Sequence, residues 1–314
     1  MLIFATDHYV LPLPPGHRFL MPKYARLRER VAKVARDRMR MPLPASDDEL
    51  ARAHSHRYIE AVVKGTLDTR EMRRIGFPWS LQMVERSRRS AGATIAACRS
   101  ALEFGAGVNL AGGTHHAHHD HGEGFCVFND AVVAIRAMQA ESRIGRALIV
   151  DLDVHQGDGT AEILEGDASV HTLSLHGRNN FPFRKCSSRQ DVELDDGTAD
   201  ASYLATLAIA LSLALQQSRA ELAIYLAGAD PYVNDRLGRL ALTKSGLVAR
   251  DAYVLDSLQR AGVPVAIVMA GGYADDIDDV VDIHFATVSA ALERYAGPRH
   301  TSSTAYSPSL AQST

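Results

Sequence analysis

Six short runs of apolar residues, each closed by turn residues and separated by stretches of helical periodicity, constrain this chain more than any other feature. They occupy positions 2–5, 107–110, 147–150, 170–175, 222–227 and 265–269. Apart from Asn109, His171, Thr172 and Ser174 they are apolar rather than polar at alternate positions, as strands covered on both faces should be. Between them, residues 80–104 place Leu81, Val84, Ala91, Ile95 and Leu102 on one helical face. Residues 201–216 repeat Leu204, Leu207, Leu211 and Leu215 at three- and four-residue spacings. Ser46-Asp-Asp-Glu49 ahead of Leu50 has the pattern of a reciprocal helix cap. Strand and helix in alternation imply an α/β fold in three layers, α/β/α, with a central, mostly parallel sheet.

The chain has 314 residues, 46% of them hydrophobic, enough for one substantial core. We expect a single domain over residues 1–296. Residues 297–314, rich in Ser, Thr and Pro, are expected to form a flexible tail. The formal net charge of -3 lacks the basic footprint of a nucleic-acid binder. The arginine-dense stretches 26–40 and 86–89 are therefore expected to be solvated helix faces. Cys98, Cys126 and Cys186 are too scattered for a disulfide framework or a cysteine zinc site. No stretch approaches the roughly 20 apolar residues of a membrane span, and the N-terminus lacks a signal-peptide pattern. The expected location is the cytoplasm, with no membrane partner.

The chemically unusual residues fall just beyond the carboxyl ends of these runs, the edge at which open parallel sheets bind ligands. His115, His116, His118, His119 and His121 follow the second run. Asp151, Asp153, His155 and Asp158 follow the third, Asp230 follows the fifth, and Gly271-Gly272-Tyr273 follows the last. Asp153 and His155 are two apart on an extended segment and point the same way. With Asp230 they offer two carboxylate oxygens and one imidazole nitrogen, the three-ligand set of a catalytic zinc with one open position. Iron(II) accepts the same donors. His115 and His116 are candidates for proton transfer, with Asp151 and Asp158 available to orient them. Tyr273 is placed to donate to a developing oxyanion. His118, His119 and His121 are expected to be solvated or to lie on a rim. Trp79 is expected to be a packed anchor in a loop.

Several segments, in order, resemble the histone deacetylase family: Gly112-Gly-Thr-His-His-Ala117, Gly124-Phe-Cys-Val-Phe-Asn-Asp130, Asp151-Leu-Asp-Val-His-Gln-Gly-Asp-Gly159, Asp235-Arg-Leu-Gly238 and Gly271-Gly-Tyr273. His155-Gln156, with 192–198 and 245–251, is most similar to class IV. The resemblance implies an arginase–deacetylase fold with a zinc held by Asp153, His155 and Asp230. It makes His115 and His116 the tandem histidines, with His116 as general base and acid and Tyr273 as the carbonyl-polarising tyrosine. Asp151 and Asp158 become their respective partners. It also implies a structural potassium at Asp151, Asp153, His155, Ser174 and Leu175, and substrate contacts at Gly124, Phe125, Phe181, Leu237, Gly271 and Gly272.

The implied activity is zinc-dependent hydrolysis of an acyl amide, acetyl or longer, on a lysine side chain. Two other readings stay open. One is a deacylase of acylpolyamines or other small acylated amines, which an acidic rim residue (Asp120, Glu123 or Asp235) would favour. The other is a non-catalytic protein that binds acyl ligands.

Overall fold

The computed structural model describes residues 1–297, so the tail expected from residue 297 lies, apart from Gly297, outside the described residues. Eight strands form one sheet: β1 (Leu2–Phe4), β2 (Met39–Arg40), β3 (Ala106–Asn109), β4 (Ala147–Asp151), β5 (Val170–Gly177), β6 (Gln190–Leu194), β7 (Leu222–Leu226) and β8 (Val265–Val268). Their spatial order is β2-β1-β3-β8-β7-β4-β5-β6. Every pairing is parallel. The helices are α1 (Pro22–Ala35), α2 (Asp47–Leu50), α3 (His56–Lys64), α4 (Thr69–Ile75), α5 (Leu81–Phe104), α6 (Asp130–Ala140), α7 (Asp158–Ile163), α8 (Asp200–Ser218), α9 (Lys244–Arg260) and α10 (Ile277–Tyr295).

Strand periodicity divides the core in two. On β4, Leu148 and Val150 pack with Leu27 and Val31 of α1, Leu207 of α8, Val254 of α9 and Ile283 of α10. Ala147 and Ile149 face the other way, toward Ile59 of α3, Ile95 of α5 and Ile135 of α6. The sheet is thus covered on both faces, which explains why its central strands are apolar without alternation. Gly107 of β3 permits one close approach: a Cβ there would fall 2.1 Å from the carbonyl oxygen of Ala97, so α5 could not lie as near the sheet.

All six apolar runs become strands. β2 and β6 escape a search for such runs because they are edge strands. β2 has only two residues, and β6 alternates polar, half-exposed positions. The cap at Ser46 forms reciprocally with Glu49. Ser80 caps α5, but Leu81 is 71% exposed and does not join the buried face assigned to it, because the first turn of α5 projects past the core. Arg86 also departs from expectation. It is buried, with its guanidinium 4.3 Å from the Tyr24 ring centroid, because the side chain spans from α5 to α1.

A buried polar knot ties the sheet to α9. Arg250 is fully buried and donates from Nη1 to the carbonyls of Gly228 (2.7 Å) and Leu152 (3.3 Å). Its Nε donates to Asp251 Oδ1 at 2.8 Å, and that carboxylate also accepts from Tyr225 and Thr287. Gly228 and Leu152 open the loops beyond β7 and β4, so one guanidinium pins both. Arg250→Met is expected to lower unfolding free energy by about 3–5 kcal/mol, because it strands Asp251 without its cation. Urea denaturation of the variant against the parent measures this.

Candidate metal centre and acid–base site

The four motif-bearing loops leave β3, β8, β7 and β4, which are four adjacent strands in the middle of the sheet. Residues far apart in sequence therefore meet at one edge. His155 Nδ1 lies 2.9 Å from Asp153 Oδ1 and 3.4 Å from Asp230 Oδ2. One potential ligand atom from each of these three buried residues lies within 4.8 Å of the other two.

The donor set fits a divalent cation. Asp230 Oδ2 is buried and, among the described residues, makes no hydrogen bond, a costly state for a carboxylate oxygen. Burial opposes charge on His155, yet Asp153 and Asp230 outweigh it and lift the imidazole to about 10. Burial, then Asp153, raises Asp230 to about 7. Two carboxylates this close call for positive charge. Gly271 keeps the space between them clear: a Cβ there would stand 1.9 Å from Asp230 Oδ2 and 2.6 Å from Asp153 Oδ2. Its N–H donates to Asp153 Oδ2 at 2.8 Å, and Val154 N–H donates to Asp230 Oδ1 at 2.9 Å.

The twin histidines stand alongside with ring centroids 4.2 Å apart. His115 Nδ1 bonds Asp151 Oδ2 at 2.7 Å, and His116 Nδ1 bonds Asp158 Oδ1 at 2.6 Å, the pairing expected from sequence. The two imidazoles differ electrostatically. Burial lowers His115, but Asp151 and Asp153 overcome it and raise it to about 9. Burial and the neighbouring His115 charge lower His116 to about 4 despite Asp158. Tyr273 is buried, and its phenol is pushed well above the usual range by burial and then by nearby acidic groups. Its backbone is gripped at both ends: its N–H donates to Asp235 Oδ2 at 2.6 Å, and its carbonyl accepts from Arg236 Nε at 2.9 Å.

These groups line a cavity of about 520 Å³ together with Gly124, Phe125, Phe181, Leu237 and Gly271. Gly272 is not among the lining residues. Its carbonyl accepts from Lys23 Nζ, and the space a side chain would need is filled by Val280 and Ala229. Asp235, a candidate rim acid, is buried; besides Tyr273 it accepts from the N–H groups of Leu237 and Gly238. Asp120 is exposed and outside the lining, which leaves Glu123 as the one of the three candidates in it. Ser174 and Asp151 are register partners between β5 and β4, and Leu175 follows on β5.

One wall comes from residues the sequence reading did not single out. Phe19, Tyr24 and Phe77 line the cavity, and Phe125 packs within 5.4–6.0 Å (ring centroids) of His17, Phe19, Phe77 and Tyr273. Lys23, also buried, holds its ammonium 5.1 Å from the Tyr273 ring centroid. The N-terminal segment carries no metal-ligand pattern, and nothing in its sequence signals a place at the cavity. His118 is a correction as well. It is buried rather than solvated, because the chain turns back at 118–121 and packs it against α7. His119 is exposed as expected; Trp79 donates from Nε1 to the Val62 carbonyl but is 39% exposed, so it is tethered rather than packed away.

A parallel α/β sheet carrying a buried two-carboxylate, one-imidazole cluster beside paired histidines is an architecture suited to metal-assisted hydrolysis. Residues 18–288 match the histone deacetylase domain model, and the chain belongs to the histone deacetylase family. It is 43% identical over 290 residues to an uncharacterized protein of Picosynechococcus sp., covering 91% of this chain and 97% of that one. It is 33% identical over 241 residues to histone deacetylase 2 of Arabidopsis thaliana, covering 74% and 62% of the two chains. Identity to the histone deacetylase-like amidohydrolase of Pseudomonas aeruginosa is 31% over 261 residues, covering 77% and 68%. The crystal structure of the HDA15 HD domain shares the fold, with a TM-score of 0.77, 21% identity and coverage of 95% and 91%. Among the described residues, no helix is long and apolar enough to cross a membrane.

Gly271→Ala is expected to weaken zinc binding by about 10–100-fold, since the new methyl displaces the Asp230 carboxylate. Competition with a chromophoric chelator measures this; unchanged affinity would contradict the cradle.

Proposed function

We propose that this chain is a zinc-dependent deacylase that removes an acyl group, acetyl or longer, from a lysine side chain. One observation carries the reading: the Asp153–His155–Asp230 cluster, the two histidines and Tyr273 all line the same cavity. Asp153, His155 and Asp230 would hold the metal. When bound, zinc supplies a Lewis acid that polarises the acyl carbonyl and acidifies water. Iron(II) is the alternative ion for these ligands.

His116 enters neutral, and its Nδ1–H bond to Asp158 fixes the tautomer with Nε2 free to accept a proton. It takes the proton from the attacking water and returns it to the departing amine. His115, protonated against Asp151, adds positive charge beside the reacting carbonyl. Tyr273 keeps its phenolic proton and donates it in a hydrogen bond to the oxyanion as that forms. Gly124, Phe125, Phe181 and Leu237 enclose the acyl-lysine stem in apolar surface. A structural potassium is assigned to Asp151, Asp153, His155, Ser174 and Leu175. The class IV likeness rests on His155-Gln156 and the segments 192–198 and 245–251; the Gln156 side-chain amide donates to Cys186 O and Asp191 Oδ1 and ties the metal loop toward β6.

The mouth of the cavity argues for a peptide over a polyamine. Arg18, Arg74, Arg236 and Arg239 are among the lining residues against Glu123; Arg236 and Arg239 pair with Asp275 and Asp196, which leaves Arg18 and Arg74 as the two of these with no ion pair among the described residues. A second ammonium on the substrate would meet like charge there. We expect kcat/KM for an acetyl-lysine peptide to exceed that for acetylspermidine by at least about tenfold at low salt. The opposite order would overturn the substrate assignment, and no turnover of either would favour a binding protein. Tyr273→Phe is expected to keep fold and zinc content while losing about 10²–10³ in kcat. Unchanged turnover would remove the tyrosine from the reaction.

A further inference from the structure

A second cluster of metal-ligating side chains stands beside the catalytic pair. His118, His121 and Glu123 each place a potential ligand atom within 4.8 Å of the other two. The chain makes a tight turn here, closed by His118 N–H donating to the His121 carbonyl at 2.8 Å. That turn stacks the two imidazoles with centroids 4.2 Å apart and planes 12° from parallel.

Both rings are anchored in the same way. His118 Nδ1 bonds the Glu162 carboxylate, and His121 Nδ1 bonds Asp120 Oδ1 at 2.6 Å. A carboxylate at Nδ1 holds each ring in place with Nε2 turned away from it, the orientation in which a histidine ligates a metal through Nε2. His118 Nε2 is buried, makes no hydrogen bond and points into the cluster, 4.0 Å from Glu123 Oε2 and 3.6 Å from Asp158 Oδ2. Burial lowers His118, but Asp158 and Glu162 overcome it and raise the imidazole to about 9, so Nε2 carries a proton toward the carboxylates that an incoming cation replaces. His121 and Glu123 keep about a quarter of their side-chain surface exposed, so an ion reaches the cluster from solvent.

We propose that His118, His121 and Glu123 form a second divalent-metal site, distinct from the Asp153–His155–Asp230 centre. Two imidazoles and a carboxylate select zinc or a similar first-row ion over calcium or magnesium, which favour all-oxygen sites. Glu123 also lines the substrate cavity, and Asp158 holds His116, so the second ion sits between the cavity wall and the catalytic pair. The inference stands on this cluster alone and does not depend on the deacylase reading.

The test is metal stoichiometry. The full chain is stripped with chelator, dialysed against zinc, freed of loose ions by gel filtration and analysed by elemental mass spectrometry. The unsubstituted chain is expected to retain two zinc ions. His121→Ala and Glu123→Gln should each retain one, Asp230→Ala one, and Asp230→Ala with His121→Ala none, all with unchanged far-ultraviolet circular dichroism. One ion in the unsubstituted chain together with none in Asp230→Ala would overturn the second site. Two ions retained by both His121→Ala and Glu123→Gln would do the same.

Discussion

Asp153 and Asp230 are buried side by side with their carboxylates turned toward one imidazole, and much of the surrounding structure is arranged to make that tolerable. Removing two like charges from water is costly, and the protein offsets it with fixed donors and with positive charge. The N–H groups of Val154 and Gly271 reach one oxygen of each carboxylate. Arg250 lies fully buried behind, holding the carbonyls of Leu152 and Gly228 that lead into the two loops. What these contacts leave unsatisfied, Asp230 Oδ2 above all, is the demand that a divalent ion would meet.

Strand order makes the convergence possible. β4 and β7 are neighbours, so Asp153 and Asp230 emerge side by side, and β8 delivers Gly271 and Tyr273 from the next position. β3 then brings the histidine loop from the far side of β8. Each loop is fixed by its neighbours: Asp235, from the loop after β7, accepts the Tyr273 N–H, while Asp151 at the end of β4 and Asp158 at the start of α7 hold the histidines of the loop after β3. A site held this way keeps its geometry without relying on any one loop, which suits chemistry that tolerates little misplacement.

Much of this is written locally in the chain. Apolar runs without alternation report a sheet covered on both faces, and the His-His, Asp-x-Asp-x-His and Gly-Gly-Tyr segments declare their chemistry within a few residues. What escaped has physical reasons. β2 and β6 are edge strands, covered too little to need apolar runs. Phe19, Tyr24 and Phe77 join the cavity, and Lys23 reaches the Tyr273 ring, only through long-range packing, and a lone aromatic or lysine carries no periodic signal. Asp235 looked like a rim acid because sequence shows its charge but not the three backbone N–H groups that bury it. His118 looked solvated for the converse reason: its partner Glu162 lies 44 residues away on α7.

The central claim is that one ion is shared by Asp153, His155 and Asp230. Anomalous diffraction at the zinc edge from crystals of the zinc-loaded chain addresses it directly. A peak bonded to His155 Nδ1 and to one oxygen each of Asp153 and Asp230, at about 2.0–2.2 Å, is the expected result. Refined coordinates at full zinc loading with no anomalous density among those three side chains would contradict it.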